Sequence, residues 1–173
     1  MFDKKNFILG FFSILTLLVL SRVIPHPPNF TPVIAVAIFS PYLFKDRIVS
    51  LSVPLGAMLL SDILIGMHSS MIWVYFSVLV VYLLTSVFKK VSLGMKRFAS
   101  LAMVSSGLFF AITNFGVWLS GGLYPKSLEG LIICYYAGIP FFTNTVLSTF
   151  SFGFVIFGSL KLMGYWNHSK VAV

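Results

Sequence analysis

Residues Arg22 to Pro32 read RVIPHPPNFTP and separate two apolar segments. The stretch holds an arginine, a histidine, an asparagine and four prolines. Proline has no backbone N–H and a fixed φ, so Pro25, Pro27, Pro28 and Pro32 exclude a regular helix and stiffen the connection. A flexible linker would use glycine and serine instead. A rigid polar cap between two apolar rods is the arrangement expected of a chain that folds in a membrane.

Composition supports that environment. Of 173 residues, 58% are hydrophobic and 9% charged, with a mean hydropathy of +1.00, whereas soluble domains carry about 25% charged residues. One all-α integral membrane domain spanning residues 1–173 is expected. The net charge of +8 sits in short clusters between apolar runs, which reads as a topology signal and argues against a nucleic-acid partner. The single cysteine, Cys134, excludes an internal disulfide and a multi-cysteine metal site, and no cofactor is expected.

Outward from the cap, the apolar run Phe7–Ile24 lacks a small-x-small cleavage site and reads as a first transmembrane helix. Thr31-Pro32 reads as an N-cap followed by proline at the first helical position. The helix it opens, Thr31–Phe44, is short for a span and is expected to be broken or tilted, shielded by its neighbours. Further spans are expected at Ile48–Gly66, Met71–Phe88, Phe98–Ser120 and Pro140–Met163. Between the last two, Leu128, Leu131, Ile132, Tyr135 and Tyr136 repeat at helical spacing. That places an interfacial helix over about residues 123–139, suited to covering a pocket from outside.

With the N-terminus inside, the inner boundaries hold Lys4, Lys5, Lys45, Arg47, Lys89, Lys90, Lys96, Arg97, Lys161 and Lys170. The outer side holds only Arg22 and Lys126. Six crossings with both termini in the cytoplasm follow from this positive-inside asymmetry.

The same topology gathers the unusual polar residues at one depth. Arg22 ends the first span, Asp62 lies one turn below the outer surface, and Asn114 and Asn144 lie in the outer parts of the last two spans. His26, Asn29, His68, Trp118 and Tyr124 share that level. Charge inside a bilayer is costly unless paired or solvated, so a one-sided cluster points to a pocket open to the outside. The expected ligand-binding set is therefore Arg22, His26, Asn29, Asp62, His68, Asn114, Trp118, Tyr124 and Asn144, with Arg22 and Asp62 as an ion pair. The bland readings are a structural pair for Arg22 and Asp62, interhelical hydrogen bonds for the two asparagines and an aromatic belt for Trp118 and Tyr124.

The segments RVIPHPPNFTPV, PLGAMLLSDILIG, FFAITNFGVWLSGGLYP and CYYAGIPFFTNT together resemble an uncharacterised bacterial family of six-helix transport proteins. That family is similar in turn to the S-components of energy-coupling-factor vitamin transporters. The resemblance implies a six-helix bundle in the inner membrane with a pocket toward the outside, and a separate energy-coupling ATPase module as partner. No G-x-x-x-x-G-K-[ST] occurs in this chain. The first helix also lacks the A-x-x-x-A pattern that contacts the coupling partner, which leaves a solitary carrier open.

The expected function is uptake of a small organic solute, of vitamin or cofactor-precursor type, with membrane lipid as surroundings. A structural or assembly subunit is the alternative. An intramembrane enzyme is a further one, but His26, His68, Asp62 and Glu129 show no recognised catalytic spacing, so a non-enzyme is expected. The charge asymmetry makes a direct prediction: a fluorescent reporter fused at Val173 is active in the cytoplasm, and an exported phosphatase fused there is inactive. The reverse pattern would invert every depth given above.

Overall fold

The computed structural model describes residues 4–67 and 70–162, with side chains from residue 12 onward. Among the described residues the chain forms six helices: α1 (Lys4–Val23), α2 (Val33–Leu43), α3 (Arg47–Ile65), α4 (Met71–Phe88), α5 (Met95–Ser120) and α6 (Leu128–Leu162). By length and composition α3 to α6 can each cross a membrane, while the apolar stretches Phe12–Val23 and Val33–Leu43 are shorter. Lys170 and the rest of residues 163–173 lie outside the described part, and so does His68.

Local chemistry sets the helix ends. Asp46 accepts the Val49 N–H at 2.9 Å as the N-cap of α3. Gly66, at φ +100°, closes that helix in a conformation that side chains disfavour. The Lys126 ammonium donates to the carbonyls of Trp118, Leu119 and Gly121, neutralising the C-terminal end of α5. Ser127 opens α6 by accepting the Gly130 N–H.

The centre of the bundle is α2. Every residue from Val33 to Pro41 is buried, and α3, α4, α5 and α6 all pack on it. Its 11 residues rise about 16 Å, about half of a bilayer's hydrocarbon thickness. A half-length, proline-containing helix survives there because neighbours shield it, as expected from its sequence. Pro41 removes the hydrogen bond that would reach the Ala37 carbonyl, and the Thr85 hydroxyl from α4 lies 3.3 Å from that oxygen. The expected Thr31 cap shifts by one residue. Pro32 occupies the N-cap position and its carbonyl accepts the Val36 N–H at 2.9 Å.

Side-chain bonds fix the helix directions. Arg22, ending α1, meets the last two turns of α3, so those helices run together. Tyr75, early in α4, meets Asp62, while Tyr82 donates to the Arg47 carbonyl at the other end, so α3 and α4 are antiparallel. Trp73 donates to Ser120 at 2.8 Å, which reverses α5 against α4.

The interfacial helix and last span expected from the sequence are one helix, the 35 residues of α6, which runs through Pro140. Its buried face is a stripe of small residues, Gly130, Cys134, Gly138, Thr145, Ser148, Thr149 and Gly153, laid along α5. Of the apolar stripe read from the sequence, Leu128, Ile132 and Tyr136 point away from the protein. Lipid solvates large apolar side chains as well as a protein interior does, so close backbone approach by small residues decides the buried face. The absence of a proline N–H does not end such a helix when its neighbour continues to hold it.

Gly153 shows how tight this seam is. A Cβ there would collide with the Phe98 ring, which is fully buried and stacked among Phe39, Phe150 and Phe154. Gly153→Leu is expected to destabilise the protein by about 1–3 kcal/mol or more through overpacking, whereas Gly158→Leu, with open space around it, is expected to be near neutral. Thermal melting of the two purified variants in one detergent checks the contrast.

Candidate functional site

The proline-rich stretch packs against α6 while residues 23–29 stay exposed. Asn144 donates to the Pro28 carbonyl at 3.0 Å, Ser148 to the Asn29 carbonyl at 3.4 Å, and the Phe30 and Phe152 rings sit 5.8 Å apart. All three α6 residues belong to the middle of that helix. The fold of the loop is local: the Phe30 N–H bonds the Pro27 carbonyl at 2.9 Å, with Pro28 and Asn29 between them and Asn29 at φ 62°. Proline followed by a positive-φ residue is the arrangement of a type II turn, and asparagine tolerates that conformation better than most residues.

At the loop's start, Arg22 makes the strongest polar cluster of the described residues. Its Nη2 lies 2.7 Å from Asp62 Oδ1, and Nη1 donates to Ser61 Oγ at 2.6 Å and to the Met58 carbonyl at 3.0 Å. Tyr75 donates its hydroxyl to the second carboxylate oxygen at 2.7 Å. Asp62 is fully buried, so both of its oxygens are satisfied by side chains brought from α1 and α4. The expected ion pair is present, and it works across three helices.

Beside this pair the loop and the helix ends enclose a cavity of about 140 Å³. Arg22, His26, Asn29 and Thr31 give it polar lining from the loop, and Thr145 adds a hydroxyl from α6. Val33 and Ile34, the first residues of α2, also line it, with Met58, Ile65, Val74 and Phe109 completing an apolar wall. The His26 Nδ1 lies 2.7 Å from the Ile24 carbonyl, an acceptor, so this nitrogen carries the proton and Nε2 stays available. Few placed polar groups in an apolar wall are the usual make-up of a small-molecule site. A larger groove of about 340 Å³ between α1 and α3, lined by Leu15, Leu60 and Leu64 among others, has almost no polar lining. It lacks the groups that orient a ligand.

The sequence-derived set divides accordingly. Arg22, His26 and Asn29 line the cavity, and Asp62 sits behind Arg22. Asn144 holds the loop against α6. Asn114 does not reach the cavity: it bonds the Phe110 carbonyl of its own helix, and its side chain fills the space left by Gly138 in the α5–α6 seam. Trp118 is also elsewhere, donating to the Pro125 carbonyl at 2.9 Å with Lys126 over its ring. Tyr124 is half-buried in the loop between α5 and α6. Residues 123–139 contribute nothing to the lining, because their helix lies on α5 and leaves the proline-rich loop to bound the space. Depth alone brought Asn114 and Trp118 into the set, and residues on different sides of a helix share a depth without facing the same space. Thr31, Ser61, Tyr75 and Thr145 belong to the cavity and its network but were outside the expected set. The tyrosine's place one turn into α4, opposite a carboxylate one turn from the end of α3, was the signal that could have found it.

Removing Arg22 leaves a fully buried carboxylate without its counter-charge, and breaking such a pair costs about 3–5 kcal/mol. Arg22→Ala is expected to lose more stability than Asp62→Asn, since a freed arginine still borders the cavity. Arg22→Met combined with Asp62→Asn is expected to recover most of the loss. A double-mutant cycle on melting temperature and membrane abundance tests this, and strictly additive losses would remove the coupling.

Neither a curated protein nor a solved structure matches the chain, so the likeness to S-components draws no support from either. Residues 2–171 match a family of unknown function, DUF6580. The protein, with its proline-rich loop packed on α6 and its buried Arg22–Asp62 pair, belongs to that family.

Proposed function

We propose that this protein is a multi-pass carrier of the bacterial inner membrane. It binds a small organic solute from the outer side, in the Arg22–Thr31 cavity, for movement inward. The observation that carries this reading is the cavity itself, in which Arg22, His26, Asn29 and Thr31 line one apolar-walled space. In this reading the short α2 makes one of six crossings beneath the proline-rich loop, and both termini are cytoplasmic. The ten-to-two distribution of lysine and arginine supports that orientation. The carrier performs no chemical step on its solute. A separate ATPase module is one energy source consistent with a chain that carries no phosphate-binding loop of its own.

A structural subunit is the competing reading. It is favoured by the completeness of the Arg22–Ser61–Asp62–Tyr75 network, which needs no ligand to be satisfied. Native mass spectrometry of the protein released from its own membranes separates the two. The carrier is expected to show a small-molecule adduct that survives purification. In Val74→Trp, where the cavity wall is filled, the adduct is expected to be lost while the melting temperature holds. An adduct-free wild type whose stability and partners are unaffected by Val74→Trp favours the structural subunit.

A further inference from the structure

We propose that the cavity takes a small monocarboxylate with an apolar remainder, its carboxylate held by Arg22. This names a substrate class for the solute-binding reading above and rests on it. A guanidinium offers five N–H donors. Three of them are engaged by Met58, Ser61 and Asp62, which leaves two on a residue that lines the cavity. The network behind it holds the guanidinium in place, so a ligand meets a preorganised fork rather than a mobile side chain.

The sign of the ligand follows from what the cavity lacks. No aspartate or glutamate is among the lining residues. Asp62 is turned away, with one oxygen on Arg22 and the other on Tyr75. An ammonium group would find no carboxylate there, whereas a carboxylate finds a guanidinium whose geometry it matches. The positive end of α2 lies at the same wall, without a side-chain cap, and adds to this preference. His26 Nε2, Asn29 and Thr31 are further polar groups that the loop brings to the cavity.

A single charge is favoured over a doubly charged phosphate. One guanidinium, already paired with Asp62, is the one permanently charged group among the described lining residues, and burying unpaired charge is costly. Size is bounded too. The space of about 140 Å³ is close to the roughly 150 Å³ apolar cavity known to take benzene in another protein. An aromatic-ring-sized or branched-chain acid fits it; a vitamin with two ring systems does not.

The test uses the full chain in lipid nanodiscs and three probes with one skeleton: benzoate, benzamide and benzylamine. Binding is read by calorimetry and by ligand-observed NMR. Benzoate is expected to bind at least about tenfold more tightly than benzamide, the difference that a charge-assisted hydrogen bond supplies, and benzylamine is expected not to bind. Arg22→Lys is expected to weaken benzoate by about tenfold, because lysine keeps the charge but loses the fork. Should that variant fail to fold, Val74→Trp decides, with loss of benzoate binding at an unchanged melting temperature. Benzamide binding as tightly as benzoate, or a preference for benzylamine, overturns the carboxylate class and leaves a solute cavity standing. Undiminished benzoate binding in Val74→Trp overturns the site. If no probe binds while a non-acidic adduct co-purifies, the class fails and the carrier reading survives. If no probe binds and no adduct is found, both fail.

Discussion

A carboxylate with no exposed surface has to be neutralised from within the protein, and the arrangement around Asp62 follows from that requirement. The guanidinium that neutralises it comes from the last turns of α1, so α1 must lie along α3 with its end at the level of Ser61. The second oxygen calls for another donor, and Tyr75 supplies it from the start of α4. One ion pair therefore ties three helices at a single level. It also sets the point from which the chain leaves α1 and turns into the proline-rich loop.

That departure point has a consequence for α2. The loop meets the middle of α6 through Asn144, Ser148 and Phe152, and only then does the next helix begin. That helix, α2, has only 11 residues. A helix end facing lipid would expose backbone N–H groups that lipid cannot satisfy. Burial of α2 behind four other helices keeps lipid away from it, and the polar loop beside its first residues gives its end a compatible environment. The cavity lies where the loop meets the first residues of α2.

The α5–α6 seam is stabilised by different physics. Within lipid, burying a large apolar side chain against another helix removes little from an unfavourable solvent, so shape governs association. Gly138 admits the Asn114 side chain and Gly153 admits the Phe98 ring, while Ser106 and Thr149 approach to 3.4 Å between their hydroxyls. This seam runs along α6 on both sides of Pro140. It holds a 35-residue helix together where a soluble protein would have ended it.

The sequence by itself determined the apolar, membrane-length helices, the all-helical class and the presence of polar residues at one end of the bundle. Hydrophobic composition, charge clusters and run lengths are local quantities, and lipid leaves a spanning chain few alternatives to helix. It also determined the Arg22–Asp62 pair, because two opposite charges placed at one depth in lipid have strong reason to meet. Only the tertiary structure decided which way each helix face turned. Asn114 and Trp118 stand at a depth that suits a pocket and yet face a helix seam and a helix end. Leu128, Ile132 and Tyr136 form a clear apolar stripe and yet face outward. The packing of the Arg22–Pro32 loop on α6 was equally invisible, since proline content specifies stiffness and not direction. Those outcomes depend on which helices are neighbours, and in a bilayer the apolar pattern that orients a soluble helix carries little of that information.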